Sequence, residues 1–179
     1  MANSALSAGT ILGDLAQVPF LSVSPSVDTA DLLLSNTLDI NADGGNWVLK
    51  CRVVNPLASG EDSHRLFINN LVTPGDYRAL QIREDKTSEF GRAVISEPRI
   101  GTAHRSDPNL YVVNISLVDG FFLYTSYGIC VNSGITEPAM ERLVGYKIAS
   151  VANITELRVK DAGGGNSIGA NSIFDLYIG

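Results

Sequence analysis

The two histidines, His64 and His104, are the residues of this chain best suited to acid–base chemistry, because imidazole titrates near neutral pH. His64 lies in Ser59-Gly60-Glu61-Asp62-Ser63-His64-Arg65, and His104 lies in Gly101-Thr102-Ala103-His104-Arg105-Ser106-Asp107-Pro108. Either could be drawn into a hydrolase triad with Ser63 or Ser106 and a nearby aspartate. A triad is a spatial arrangement, however, and adjacency in sequence does not make one. No G-x-S-x-G elbow presents a nucleophile either. Both histidines therefore read as solvated loop residues beside an arginine. Glu61, Asp62 and His64 form a compact set of oxygen and nitrogen ligands, but no second histidine stands at ligand spacing. Calcium takes about six to eight oxygens, more than the loops at 41–44 and 161–163 offer. No catalytic, cofactor-binding or metal-binding residue is assigned, and the chain does not read as an enzyme.

The glycine run Gly163-Gly164-Gly165-Asn166 invites a phosphate-cradle reading. A P-loop needs Gly-Lys-Ser/Thr opening a helix whose N-terminus faces the phosphate. Here Ser167, Ile168 and Gly169 follow, then a strand-like run, and no lysine is supplied. The loop reads as a plain turn or a surface for neighbours. Exposed aromatics could stack on sugars. Trp47, the single tryptophan, alternates with Leu49 and Val53 and reads as core. Tyr111, Tyr124, Tyr127, Tyr146 and Tyr177 follow no pattern. Asn114-Ile115-Ser116 and Asn153-Ile154-Thr155 match the glycosylation sequon, which matters only on a secretory route.

The elements that must position these residues are strands. Trp47, Leu49, Cys51 and Val53 share one face of an alternating run, with Lys50 and Arg52 on the other. Further strand-like runs stand at 31–40, 65–71, 77–83, 92–100, 110–118, 121–131, 142–149, 154–160 and 172–178. Turn chemistry separates them: Thr73-Pro74-Gly75-Asp76, Ser106-Asp107-Pro108-Asn109 and Ser133-Gly134. Asp119-Gly120 fits a two-residue hairpin turn, placing Tyr111, Val113, Ile115 and Leu117 on one face of a central hairpin. The best helix candidate is the short stretch 136–143, with Thr136 as cap and Pro138 in the first turn. The mixed-charge stretch at 82–92 reads as a solvated loop or a rim of ion pairs between subunits. Residues 1–27, rich in Ser, Ala and Gly with Pro19 and Pro25, read as an extended N-terminal arm or a terminal edge strand. Residues 28–179 form one domain. About eight to ten short strands with little helix imply an all-β antiparallel sandwich, jelly-roll-like in its strand count, with an immunoglobulin-like sandwich as the alternative.

Composition bounds the partners. The 179 residues suffice for one domain with a real core. Charged residues make up 18% of the chain, below the usual quarter, which suits a subunit covered by neighbours and equally an ordinary small β domain. Net charge is −6, and the 13 basic residues are scattered, so no cationic face exists to displace counterions from nucleic acid. No apolar run is long enough to span a bilayer. The first twenty residues lack a basic n-region, and Asp14 interrupts their apolar stretch, so no secretory signal is expected. Cys51 and Cys130 then read as thiols in a cytosolic setting, two buried small hydrophobes, with a facing pair across the core as the alternative.

The closing stretch carries a family resemblance. Ile154, Leu157 and Val159, the loop 163–171, and Ser172-Ile173-Phe174-Asp175-Leu176-Tyr177-Ile178-Gly179 resemble the C-terminus of many tailed-bacteriophage virion proteins. Ile178 stands between Tyr177 and Gly179, where those proteins tend to end in Leu-Tyr-Gly. The resemblance implies a jelly-roll-type virion module, commonly trimeric. Its expected role is that of a capsid decoration or cement protein, made in the host cytoplasm and bound to itself and to the major capsid protein or other virion proteins. A glycan-binding tail or fibre module is the alternative.

Overall fold

The computed structural model describes residues 18–41, 46–57, 61–84, 91–104, 108–130 and 139–178. In chain order the strands are β1 (Leu21–Val23), β2 (Asp31–Ser35), β3 (Ile40–Asn41), β4 (Trp47–Val54), β5 (Glu61–Ile68), β6 (Tyr77–Glu84) and β7 (Gly91–Ile95). There follow β8 (Arg99–His104), β9 (Pro108–Val118), β10 (Phe121–Cys130), β11 (Ala139–Lys147), β12 (Asn153–Ile154), β13 (Leu157–Asp161) and β14 (Ile173–Ile178). Every pairing is antiparallel. A large sheet of eight strands runs β1-β14-β4-β9-β10-β11-β6-β7, and a smaller sheet of four runs β2-β13-β5-β8, with β12 and β3 as a separate pair. The chain is an all-β antiparallel sandwich.

The core lies between the two sheets. The large sheet contributes Leu49, Cys51, Val53, Tyr111, Val113, Ile115, Phe122, Tyr124, Leu143 and Phe174, all buried, and the small sheet answers with Leu66, Ile68, Ile100, Leu157 and Val159. Alternation produces this directly, since successive strand residues face opposite sides. Trp47 belongs to this inner face and packs edge-on against Phe20, ring centroids 5.3 Å apart.

Turn chemistry reads as expected at Asp119-Gly120, where both residues have positive φ, 49° and 78°. That is the backbone a primed two-residue hairpin needs. A second left-handed pair, Asn69 and Asn70 at φ 52° and 55°, turns the chain after β5. The sequence reading had carried that strand on to Leu71. Asparagine tolerates this conformation better than most residues, and the Asn69 side chain ties the turn to the distant segment between β12 and β13: its Oδ1 accepts from the backbone N–H of Thr155, 86 residues away, at 2.8 Å.

Several expectations change. The run read as one strand over 92–100 divides into β7 and β8, which lie in different sheets, and His64, read as a solvated loop residue, is buried on β5. The helix candidate 136–143 is a strand where it is described, β11 running through Ala139–Lys147; residues 136–138 lie outside the described residues. Alternation from Met140 to Tyr146 places Leu143 in the core and Val144 outside, and that period of two overrides the local cap signal. Of the two readings of residues 1–27, an arm or a terminal edge strand, residues 21–23 take the second, Leu21 opposite Leu176 and Val23 opposite Phe174. Residues 1–17 lie outside the described residues.

Candidate functional site

His64 is the natural starting point for chemistry, and β5 positions it. The pleat sends Asp62, His64 and Leu66 into the interior and Ser63 the other way. The Ser63–His64 pairing suggested by adjacency is therefore absent. His64 is fully buried, and its Nε2 lies 3.1 Å from Ser167 Oγ, a partner 103 residues away on the glycine-rich loop. Its Nδ1 has no hydrogen-bond partner. A triad needs a carboxylate on that nitrogen and a serine open to substrate; Ser167 is fully buried. The pair is structural.

Two aspartates hold the glycine-rich loop around this pair. Asp161, at the end of β13, accepts from Gly164 N–H on Oδ1 at 2.6 Å and from Ser167 N–H on Oδ2 at 3.1 Å. Asp62 Oδ1 accepts from Ser63 N–H at 2.7 Å and from Gly163 N–H at 3.2 Å. The loop is an Asx-type turn tied to β5 and β13 by these carboxylates, and Asp161 satisfies the buried Ser167 donor that would otherwise be stranded. Among the described residues no group of three or more His, Cys, Asp or Glu could hold a metal ion.

Burial governs the titration of His64. Desolvation pushes its pKa down to about 4, and the nearby charges of Asp62 and Asp161 and the Ser167 contact only partly oppose this. The unfolded chain therefore binds a proton that the folded chain refuses between about pH 6.5 and about pH 4. Stability contributed by neutral His64 is present above pH 6.5 and is lost as the pH falls through that window. The expected result is a midpoint of chemical denaturation that drops below pH 6.5, with His64 contributing up to about 1.4 kcal/mol per pH unit. Denaturant titrations of the wild type and His64→Gln at pH 7 and pH 5 test this. Equal pH slopes for the two proteins would show that His64 is not the cause.

The remaining candidates separate cleanly. β8 carries His104, but the side chains of His104 and Glu61 are outside the description, as are residues Ser106 and Asp107 and loop positions 42–45. Of the stretch 82–92, β6 runs to Glu84 and β7 starts at Gly91; residues 85–90 lie outside the described residues. Tyr111 and Tyr124 are buried and unavailable to sugars, whereas Tyr127 and Tyr146 are exposed. Cys51 is a buried free thiol, its pKa raised by desolvation and by the charge of Asp175. The side chain of Cys130 is outside the description. A polar clamp absent from the sequence reading joins strands at the sheet edges. Glu97 takes hydrogen bonds from Arg65 Nε and Arg99 Nε, both at 2.7 Å. Burial raises the Glu97 pKa, but the bonds and charges of Arg99 and Arg65 outweigh it and hold the group below its ordinary value.

The surface that stands out is the outer face of the large sheet. Strand register lays its side chains in rows: Val118 beside Phe121; Leu123 beside Tyr146; Thr125, Val144, Leu80 and Val94; Val112, Tyr127, Arg142 and Ile82; Leu110, Ile129 and Met140. Toward β14 the face turns polar, with Lys50, Arg52 and Asp175, and Lys50 Nζ sits 4.4 Å from the Tyr177 ring centroid. From β9 to β7 it is largely apolar, interrupted by Asn114, Ser116, Thr125 and Arg142; its exposed large residues range from 39% (Val112) to 76% (Val94), with Leu80 and Ile82 half-buried. At roughly 150–250 Å² per large side chain, these exposures leave on the order of 1,000 Å² of apolar surface, against roughly 300–600 Å² for the largest patch of a typical monomer. A groove of about 620 Å³ crosses this face between Leu110, Val112, Tyr127, Ile129, Met140 and Arg142. The Arg142 guanidinium lies 5.2 Å from the Tyr127 ring centroid. The sequence signal for this face was present: β9 to β11 carry apolar residues at both parities, the mark of a strand covered on both sides.

No protein-family model matches this chain, and no curated protein gives a significant match.

Proposed function

We propose that this chain is a structural subunit of a bacteriophage virion, a capsid decoration protein that assembles with itself and binds the major capsid protein. The observation that carries the subunit role is the apolar outer face of β9, β10, β11, β6 and β7. A face of that size in water favours association, since burying it is worth about 25 cal/mol per Å² before the costs of association are subtracted. The likeness of residues 154–179 to virion proteins supports the setting. In that role the protein would stabilise the head by contacts between subunits, and several copies bound together would hold the particle by avidity without strong individual contacts. Tyr127 and Tyr146 favour the glycan-binding alternative. Arg142 stands beside Tyr127, and Asn114, Ser116 and Thr125 line a groove with Tyr146, but Ile129, Met140, Val144, Leu123, Leu110 and Val112 make most of the face aliphatic, which weighs it toward subunit contact.

The test is co-sedimentation of the purified protein with undecorated phage heads, alongside a glycan array. The expected result is saturable binding to heads and silence on the array. Protein that stays in the supernatant at every concentration, or that binds host polysaccharide, would sink the decoration reading.

A further inference from the structure

We infer that two copies of this chain stack their outer faces head to tail, so that the β9–β10 hairpin tip of each seats in the groove of the other. The inference rests on the reading of this face as a contact between subunits and names the partner as a second copy. Three observations carry it. The first is area: the apolar face is on the order of 1,000 Å², and a stable interface takes about 800 Å² per partner. The second is shape. The tip is a tight two-residue turn whose flanking residues, Val118 and Phe121, are exposed and point to the same face as the groove. The groove is formed at the other end of that face by Leu110, Ile129 and Met140. Phe121 and Tyr127 are separated along β10 by roughly 20 Å at strand rise. Turning one copy by a half-rotation over the other therefore brings both tips onto both grooves at once, the reciprocal contact of a two-fold pair.

The third observation is charge. Asp119 is the exposed acid of the tip, and Arg142 is the exposed base at the groove, stacked near Tyr127. In the head-to-tail arrangement each Asp119 meets the Arg142 of the other copy. In a head-to-head arrangement the two Arg142 side chains would face each other, and like charges across an interface are selected against.

Native mass spectrometry and sedimentation equilibrium of the full chain decide the point. The expected mass is twice the 19.1 kDa of the chain. Asp119→Asn keeps a residue that accepts positive φ, and it should weaken the pair by roughly tenfold, as should Arg142→Gln. The double variant should be no weaker than either single one, because both remove the same contact. Ile129→Asp should give monomers with an unchanged β circular dichroism spectrum. Should that variant fail to fold, the Asp119 and Arg142 pair still decides. Lys50→Ala, on the polar side of the face, should leave the association constant unchanged. A monomeric or trimeric wild type, or additive losses in the double variant, would overturn the inference. A monomer that still coats phage heads would overturn this pairing and leave the decoration role standing. A dimer that ignores heads would do the reverse.

Discussion

Gly101→Ala is expected to destabilise the fold by about 2–3 kcal/mol, the cost of overpacking a dense core. A Cβ built at Gly101 would lie 2.3 Å from Tyr111 Cε1 and 2.5 Å from Tyr111 Cδ1. The ring cannot swing away. Tyr111 is buried between the two sheets, and Gly128 also lies against its Cδ1–Cε1 edge, where an added Cβ would sit 2.9 Å from Cδ1. Gly128 is the cross-strand neighbour of Tyr111 on β10, whereas Gly101 comes from β8 in the opposite sheet. One tyrosine ring thus fills the space that two glycines leave. For a domain of this size the expected drop in Tm is roughly 5–10 °C. The cause can be separated from loss of strand propensity by a double-mutant cycle. Tyr111→Leu costs stability alone, but in the Gly101→Ala background it should cost distinctly less, because the smaller side chain relieves the clash. Additive effects in the cycle would show that steric conflict with the ring is not the origin. Gly145 repeats the device, with an added Cβ 2.4 Å from Tyr124 Cε1.

Asp161→Ala should be of similar size, about 1–3 kcal/mol, for a different reason. Its two oxygens take the backbone N–H groups of Gly164 and Ser167, and Ser167 is fully buried. Removing the carboxylate strands the buried Ser167 N–H, at about 1–3 kcal/mol, whereas the N–H of the exposed Gly164 can turn to water. The Ser167 hydroxyl would then lose the backbone that aims it at His64. Asp161→Asn keeps one acceptor and should cost about half as much. Denaturant unfolding gives the energies. Amide exchange gives the location, since protection at Gly164 and Ser167 should fall before that of β9 and β10 changes. Unaltered exchange at those two amides would argue that the loop is held by something else. The glycine-rich loop is thus tied to β5 and β13, with the Asp62 and Asp161 carboxylates taken up by backbone donors.

Strand character and the inner face were legible in the sequence wherever one parity was apolar and the other polar. Trp47 to Val53 is the clearest case, and Asp119-Gly120 fixed its own hairpin. What could not be read were relations across the chain. Nothing local pairs His64 with Ser167, and nothing local puts Asp62 beside Gly163; both follow from β13 lying next to β5. Residues 136–143 misled because a cap residue and an early proline are helix signals that act over one turn, while the pairing of β11 with β10 and β6 acts over nine residues. The outer face was written into Leu110 to Met140, but alternation on one parity drew attention from the apolar residues on the other.

The placement of the last two strands bears on how the chain can be made. β13 lies between β2 and β5, and β14 lies between β1 and β4. Both sheets are therefore closed by segments synthesised late, across separations such as the 118 residues from Val54 to Ser172. Until residues 157–178 leave the ribosome, β2 and β5 have no shared neighbour, and β1 has nothing to pair with. Long-range closure of this kind is slow, and the waiting strands expose pairing edges meanwhile. The meander of β9, β10 and β11, joined to its neighbours by short register-matched pairing, is the part able to form during translation. The nascent protein must hold that half-built sheet, apolar on both faces, until its final strands arrive.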